Sequence, residues 1–157
     1  MVLVPRDAIM RLAMVNEPDV ARELWKALRA ASPTRIRKAQ DVYARCAPRM
    51  SYLDHEEFRV LLMDTQAGVI GDELVTSGVL NASVIHPREV FRLAIKASAA
   101  GVILVHNHPS GDATPSALDR DVTRQLIEAG RVLDIPVYDH VIVGKNRYTS
   151  FAEEGLL

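Results

Sequence analysis

Gly101-Val102-Ile103-Leu104-Val105-His106-Asn107-His108-Pro109-Ser110-Gly111-Asp112-Ala113-Thr114-Pro115-Ser116-Ala117-Leu118-Asp119 joins a short apolar run to a cluster of chemically active residues. Gly101 to Val105 suits a buried strand covered on both faces. On an extended chain, positions i and i+2 point to one side. His106 and His108 therefore project together from the strand's end. Pro109 to Asp112 is turn chemistry. Thr114-Pro115-Ser116 reads as a helix start, with proline suited to the first helical position. Asp119 falls on the first turn of that helix, within reach of the histidines. Leu118, Val122, Leu126 and Ala129 follow at helical spacing as its buried stripe.

Two imidazoles and a carboxylate are the donor set of a catalytic zinc site, in which three protein ligands leave the fourth position to water. A plainer reading stands beside it. Ser116 and Asp119 also match a helix-capping pattern, Asp119 is a favourable charge near a helix N-terminus, and one histidine could be a buried structural residue. A zinc deaminase would require H-x-E and a later C-x-x-C. The only cysteine, Cys46, lies far upstream, which excludes it.

The 157 residues allow one domain with a real core. A formal net charge of −1 gives the whole molecule no polyanion-binding signature. One cysteine excludes an internal disulfide framework and fits a reducing compartment. No apolar run approaches a membrane span. Arg6 and Asp7 interrupt any apolar core of a secretory signal, so the expected location is the cytoplasm. Residues 1–50 carry ten Lys/Arg against five acids, a net +5, which leaves −6 for the remainder. Arg35, Arg37 and Lys38 form a local basic cluster, read as a solvated helix face or a nucleic-acid contact.

Residues 6–47 read as helical: Asp7 to Met14, Glu17 or Pro18 to Ala31, and Pro33 to Cys46, with Asn16 and Ser32 as caps. Beyond Phe58 the texture changes. A strand is expected from Phe58 to Asp64, a turn at Gln66-Ala67-Gly68, and a return strand through Thr76. A helix follows from Pro87 to Ala100, with Val90, Phe91, Ala94, Ile95 and Ser98 inward. After the His106 strand and a helix from Pro115 to Ala129 come strands around Val141-Ile142-Val143 and Tyr148 to Phe151. Alternating strands and helices predict an α/β fold, a mixed β-sheet flanked by helices. The domains divide as a helical extension over 1–50 and a catalytic domain over 51–157.

The segment His106 to Asp119 resembles the JAMM (MPN-plus, JAB) zinc metalloprotease motif, and His106-Asn107-His108-Pro109-Ser110-Gly111 is similar to the bacterial RadC family in particular. His86-Pro87-Arg88-Glu89-Val90, Asp139-His140-Val141-Ile142-Val143-Gly144, Ser150-Phe151 and Glu154-Gly155 extend the resemblance over about Phe58 to Leu157. It implies a deaminase-like three-layer arrangement and one zinc ion held by His106, His108 and Asp119. It also implies a glutamate acting as general base just ahead of the first core strand. Glu57, followed by Phe58, is the choice; Glu56 is its immediate rival and Glu73 a weaker one. Ser116 would donate a hydrogen bond to the oxyanion. Longer RadC-like proteins carry a helix-hairpin-helix with a glycine-containing turn. Residues 1–67 contain no glycine, so DNA binding by that route is not expected.

The leading expectation is a zinc-dependent metallopeptidase or isopeptidase acting on a peptide or protein substrate. The alternatives are a DNA-repair or nucleic-acid-processing protein and a non-catalytic MPN-type scaffold. Weak DNA contact through the basic N-terminal helices is expected, and no membrane partner. Other polar residues have plainer readings: His86 as a turn or cap residue, Cys46 as helix packing, Asp112 as a turn residue or surrogate ligand. His140 reads as a structural hydrogen-bonding residue or a partner behind a metal ligand, and His55 stands out only by nearness to Glu57.

Overall fold

The structure, a computed structural model, describes residues 34–78 and 85–157. The helices expected from Asp7 to Ala31 lie outside the described residues. The elements run α1 (Ala39–Met50), β1 (Glu56–Met63), β2 (Val69–Gly78), α2 (Pro87–Lys96), β3 (Gly101–Asn107), α3 (Ala117–Leu133), β4 (Val137–Val143) and β5 (Tyr148–Ser150). The strands form one mixed sheet in the order β2-β1-β3-β4-β5, with β3 and β4 parallel and the other neighbours antiparallel. The parallel pair is the one joined through a helix, α3, as a crossover requires.

The central strands explain the layering. All seven residues of β3 are buried, as are the last seven of β1. Alternation sends Val60, Leu62, Val102 and Leu104 to one face, where they meet Val90, Phe91 and Ala94 of α2 and Val122 and Leu126 of α3. It sends Leu61, Met63, Ile103 and Val105 to the other, against Val42, Cys46 and Met50 of α1. Three layers result, α1, the sheet, and α2 with α3, as the sequence predicts.

Several boundaries differ from the sequence reading. The compact unit of the described chain begins at Thr34, not after residue 50. Residues 34–36 pair with the β1–β2 turn through Val69 N–H to Thr34 O and Ile36 N–H to Ala67 O, and α1 supplies one wall of the core. Helix α1 also runs past Cys46 to Met50 with Pro48 inside it, because the burial of Ala47 and Met50 holds the last turn. Helix α3 begins after Ser116 rather than at Pro115, since the Ser116 hydroxyl accepts the Asp119 N–H. It continues to Leu133 and stops at Asp134, whose φ of 56° and the Ile135 N–H to Gly130 O bond make a Schellman-type end. Gly130 sits against the Ile135 carbonyl and the Phe91 ring, where a Cβ would collide. Ile95, expected inward, is 57% exposed, since only the edge carrying Val90, Phe91 and Ala94 meets the sheet. Ser98 lies beyond the end of α2. Arg35, Arg37 and Lys38 are all exposed. No helix among the described residues is long and apolar enough to cross a membrane.

Candidate metal centre

The end of β3 and the first turn of α3 meet at one point. His106 is the penultimate residue of β3 and fully buried; His108 follows the strand and is half-buried. Their Nε2 atoms lie 2.9 Å apart. The Asp119 carboxylate closes the group, with Oδ1 3.1 Å from His106 Nε2 and Oδ2 3.3 Å from His108 Nε2. Among the described residues, this trio alone brings three metal-ligating side chains together.

The capping and ligand readings of Asp119 are both realised by one side chain. Ser116 N–H donates to Asp119 Oδ2 at 2.7 Å, and Asp119 N–H donates to Ser116 Oγ at 3.0 Å. This capping box locks the carboxylate on the first turn of α3 and aims it at the histidines. The turn does the same for His108, whose Nδ1 donates to the Asp112 carbonyl at 2.7 Å. The Asp112 carboxylate itself accepts from Thr114 N–H and Oγ1. Asp112 therefore meets the site through its backbone and not as a surrogate ligand.

Proton placement shows why the trio fits a cation. The Asp112 carbonyl can only accept, so in the neutral ring the proton of His108 sits on Nδ1 and its Nε2 lone pair faces Asp119. Burial opposes ionisation of Asp119, yet hydrogen bonds from His106 and His108, made when those rings are protonated, outweigh that and hold its carboxyl well below the usual range. His108 is held above its ordinary value, mainly by the hydrogen bond to Asp119, against its own burial. Electron-rich atoms converging at about 3 Å from two nitrogens and a carboxylate are the donor chemistry of a divalent transition metal.

The centre opens onto a shallow cleft of about 390 Å³ lined by Glu56, His108, Pro109, Ser110, Ser116, Leu118 and Asp119. Glu57 is not among them. Strand parity is the reason. Phe58 pairs with His106 in the β1–β3 ladder, and their rings stack with centroids 6.0 Å apart. Glu56, two residues earlier, shares that face. Glu57 turns to the other, where its side chain is buried and its carboxylate lies 3.2 Å from Arg59 and 3.8 Å from Arg49. His55 flanks Glu57 at 3.8 Å on that side. Glu73 is exposed on the edge strand β2, opposite Val60. The side chain that faces the metal group is thus Glu56, the rival to the sequence-based choice.

Two residues that the sequence did not single out for the site complete it. Asn107, between the two histidines, points to the far face and accepts Glu57 N–H at 2.8 Å while donating to His55 O at 2.9 Å. Its amide grips the backbone on either side of Glu56, beyond the last β1–β3 ladder pair. Thr123, one turn after Asp119, contacts Nδ1 of His140 at 2.6 Å, and His140 Nε2 lies 2.7 Å from His106 Nδ1. His140 is fully buried, and burial holds it well below the ordinary imidazole value, with the His106 ring adding to the effect. It stacks on Phe151 at 4.7 Å and meets the Phe58 edge at 5.6 Å.

The remaining polar residues take the plainer roles. His86 occupies the N-cap position of α2 without a side-chain cap bond. Cys46 is buried in α1, and desolvation pushes its thiol up to about 12, far from a reactive thiolate. A larger hollow of about 520 Å³ lies over the opposite face near Ile36, Val42, Met63 and Tyr138 and holds none of the metal-ligating trio.

Residues 36–156 match the family model of the RadC-like JAB domain. A UPF0758 protein of Symbiobacterium thermophilum is 55% identical over 116 residues, 74% of this chain and 50% of that protein. A UPF0758 protein of Moorella thermoacetica is 49% identical over 148 residues, 93% of this chain and 65% of that protein. One of Thermotoga maritima is 49% identical over 125 residues, 80% of this chain and 56% of that protein. The chain thus spans between half and two thirds of the length of these relatives. With this match over most of its length and the His-His-Asp group in place, the chain belongs to the RadC-like JAB domain family.

Proposed function

We propose that this chain is a zinc-dependent hydrolase of peptide or isopeptide bonds, with His106, His108 and Asp119 as the zinc ligands. The observation that carries the reading is the convergence of two imidazole nitrogens and a carboxylate at the mouth of a cleft that also presents Glu56 and Ser116. A structural zinc site is closed by a fourth protein ligand, whereas a hydrolytic one keeps a position open. Zinc bound there supplies Lewis-acid activation of water and of a carbonyl group.

The protein's own groups do the rest. Glu56, on the His106 face of β1, takes the proton from the attacking water and delivers it to the departing amine. A substrate backbone lies in the cleft between the Pro109-Ser110 turn and the start of α3. Ser116 Oγ already accepts from Asp119 N–H, so its own proton is directed outward to the developing oxyanion. Asn107 keeps Glu56 in register with the ligands.

The test is a paired substitution, scored by zinc content and by cleavage of a peptide and isopeptide library. Glu56→Gln is expected to retain about one zinc per chain and to lower turnover by about 10²–10⁴-fold. Glu57→Gln keeps turnover within an order of magnitude of the parent. A reversal of the two would restore Glu57 as the base, and failure of the parent to bind zinc would end the proposal.

A further inference from the structure

We propose that Thr123 and His140 are positioning residues that set the tautomer of His106 from behind, through a one-way chain of hydrogen bonds ending on a backbone carbonyl. The inference rests on His106 being a metal ligand, as proposed above.

The direction of the chain follows from counting protons. Thr123 Oγ1 lies 2.5 Å from the Asp119 carbonyl. A carbonyl only accepts, so the single hydroxyl proton of Thr123 is committed there. The same oxygen lies 2.6 Å from His140 Nδ1. With its proton already spent, the hydroxyl can only accept from that nitrogen. His140 therefore carries its proton on Nδ1. A second proton would place a charge between the Phe58 and Phe151 rings, fully buried and with no carboxylate in hydrogen-bond contact among the described residues. Neutral His140 thus presents a bare Nε2 to His106 Nδ1, 2.7 Å away. His106 must donate from Nδ1, and its own Nε2 is left bare toward His108 and Asp119.

Both histidine ligands are thereby set by backbone carbonyls, by different routes. His108 reaches the Asp112 carbonyl directly. His106 is buried in the strand and reaches the Asp119 carbonyl through two intervening side chains. The residue whose carboxylate joins the trio thus also terminates, through its main chain, the relay that orients His106. Second-sphere partners of metal-bound imidazoles commonly change metal affinity by about 10–100-fold.

The decisive variant is Thr123→Val, which keeps the branched shape and removes the hydroxyl. His140 Nδ1 then faces a methyl group, and its better tautomer carries the proton on Nε2. That proton points at His106 and drives the His106 proton onto its metal-facing nitrogen. Two-bond ¹⁵N–¹H correlation spectra of the full-length chain, above neutral pH and before and after zinc addition, read these tautomers directly. In the parent protein, His106, His108 and His140 are all expected as Nδ1–H before zinc is added. In Thr123→Val, His106 and His140 switch and His108 does not. Zinc affinity by chelator competition falls by about 10–100-fold, and Thr123→Ser restores both readouts. A parent protein with His140 protonated on Nε2 would overturn the proposal, even if Thr123→Val did not fold. So would a folded Thr123→Val with unchanged tautomers and zinc affinity. If the parent tautomers are as expected but His108→Ala leaves zinc binding untouched, the metal assignment fails while the relay stands.

Discussion

At the shared end of β1 and β3, consecutive residues go to opposite faces of the sheet, and the two faces handle buried charge differently. On the α1 face, Arg59 sits between two acids, 3.2 Å from Glu57 and 2.8 Å from Asp72. Opposite charges are matched inside the protein. On the α3 face, Asp119 meets two imidazoles and the Ser116 N–H, and the groups share electron pairs aimed at one point. The first face is complete as it stands and holds strand to strand. The second gathers His106, His108 and Asp119 at the mouth of a cleft, a set of donors that could hold a cation. Buried ionisable residues are therefore informative through what they point at; burial itself does not separate the two faces.

Breaking the self-matched face should have the largest effect on stability. Arg59→Met leaves the buried Glu57 and the part-buried Asp72 without their shared cation. Arg49 and Arg45 stand farther off, at 3.8 and 4.0 Å, and compensate in part. A loss of about 3 kcal/mol is expected, read by chemical denaturation. Zinc stoichiometry of the folded fraction should not change; a parallel loss of zinc would show that the two faces are not independent.

Asn107 joins the faces, and its removal should sharpen the distinction. Asn107→Leu deprives the Glu57 N–H and the His55 carbonyl of their partner, at a cost of about 1–3 kcal/mol. Because the grip straddles Glu56, turnover should fall while zinc affinity holds. A variant that loses zinc and turnover equally would place Asn107 with the ligands instead.

The smallest effect is one of pH and sign. In chelator, His108 is held above its ordinary imidazole value by Asp119. That contribution is fully present below the unfolded pKa of about 6.5 and is lost as pH rises through the folded value. Asp119 is shifted the opposite way; its contribution is present above about pH 3.9 and is lost in acid. His140, held well below its ordinary value, works the other way but only up to about its unfolded pKa of 6.5; from about pH 7 to 8 the chelated protein should therefore lose stability. With zinc the slope should reverse, because ligation requires deprotonated imidazole. Melting temperatures with chelator and with zinc across that range check both slopes; parallel slopes would contradict the assignment of His108.

The grouping of His106, His108 and Asp119 was legible in the sequence because its geometry is local. Two strand residues at i and i+2 and a helix residue eleven positions after His108 need only a strand, a turn and a helix to meet. The base was not. Glu56 and Glu57 are chemically identical neighbours, and only the pairing of Phe58 with His106 assigns one to each face. A one-residue change of register would exchange the faces they occupy. The helix of residues 39–50 misled for a related reason. Its apolar stripe shows that it packs, but not that it packs on β1 and β3.

By itself the sequence determined the α/β layering and the His106, His108, Asp119 group, because periodicity and short-range spacing carry that information. The tertiary structure decided which glutamate faces the metal group, that α1 belongs to the compact unit, and that His140 stands behind His106. Each of these depends on strand pairing or on contact between residues distant in the chain. His140 lies 34 positions from His106 and meets it because β4 runs parallel beside β3. No local pattern encodes that distance, since the sheet's hydrogen-bond register sets it.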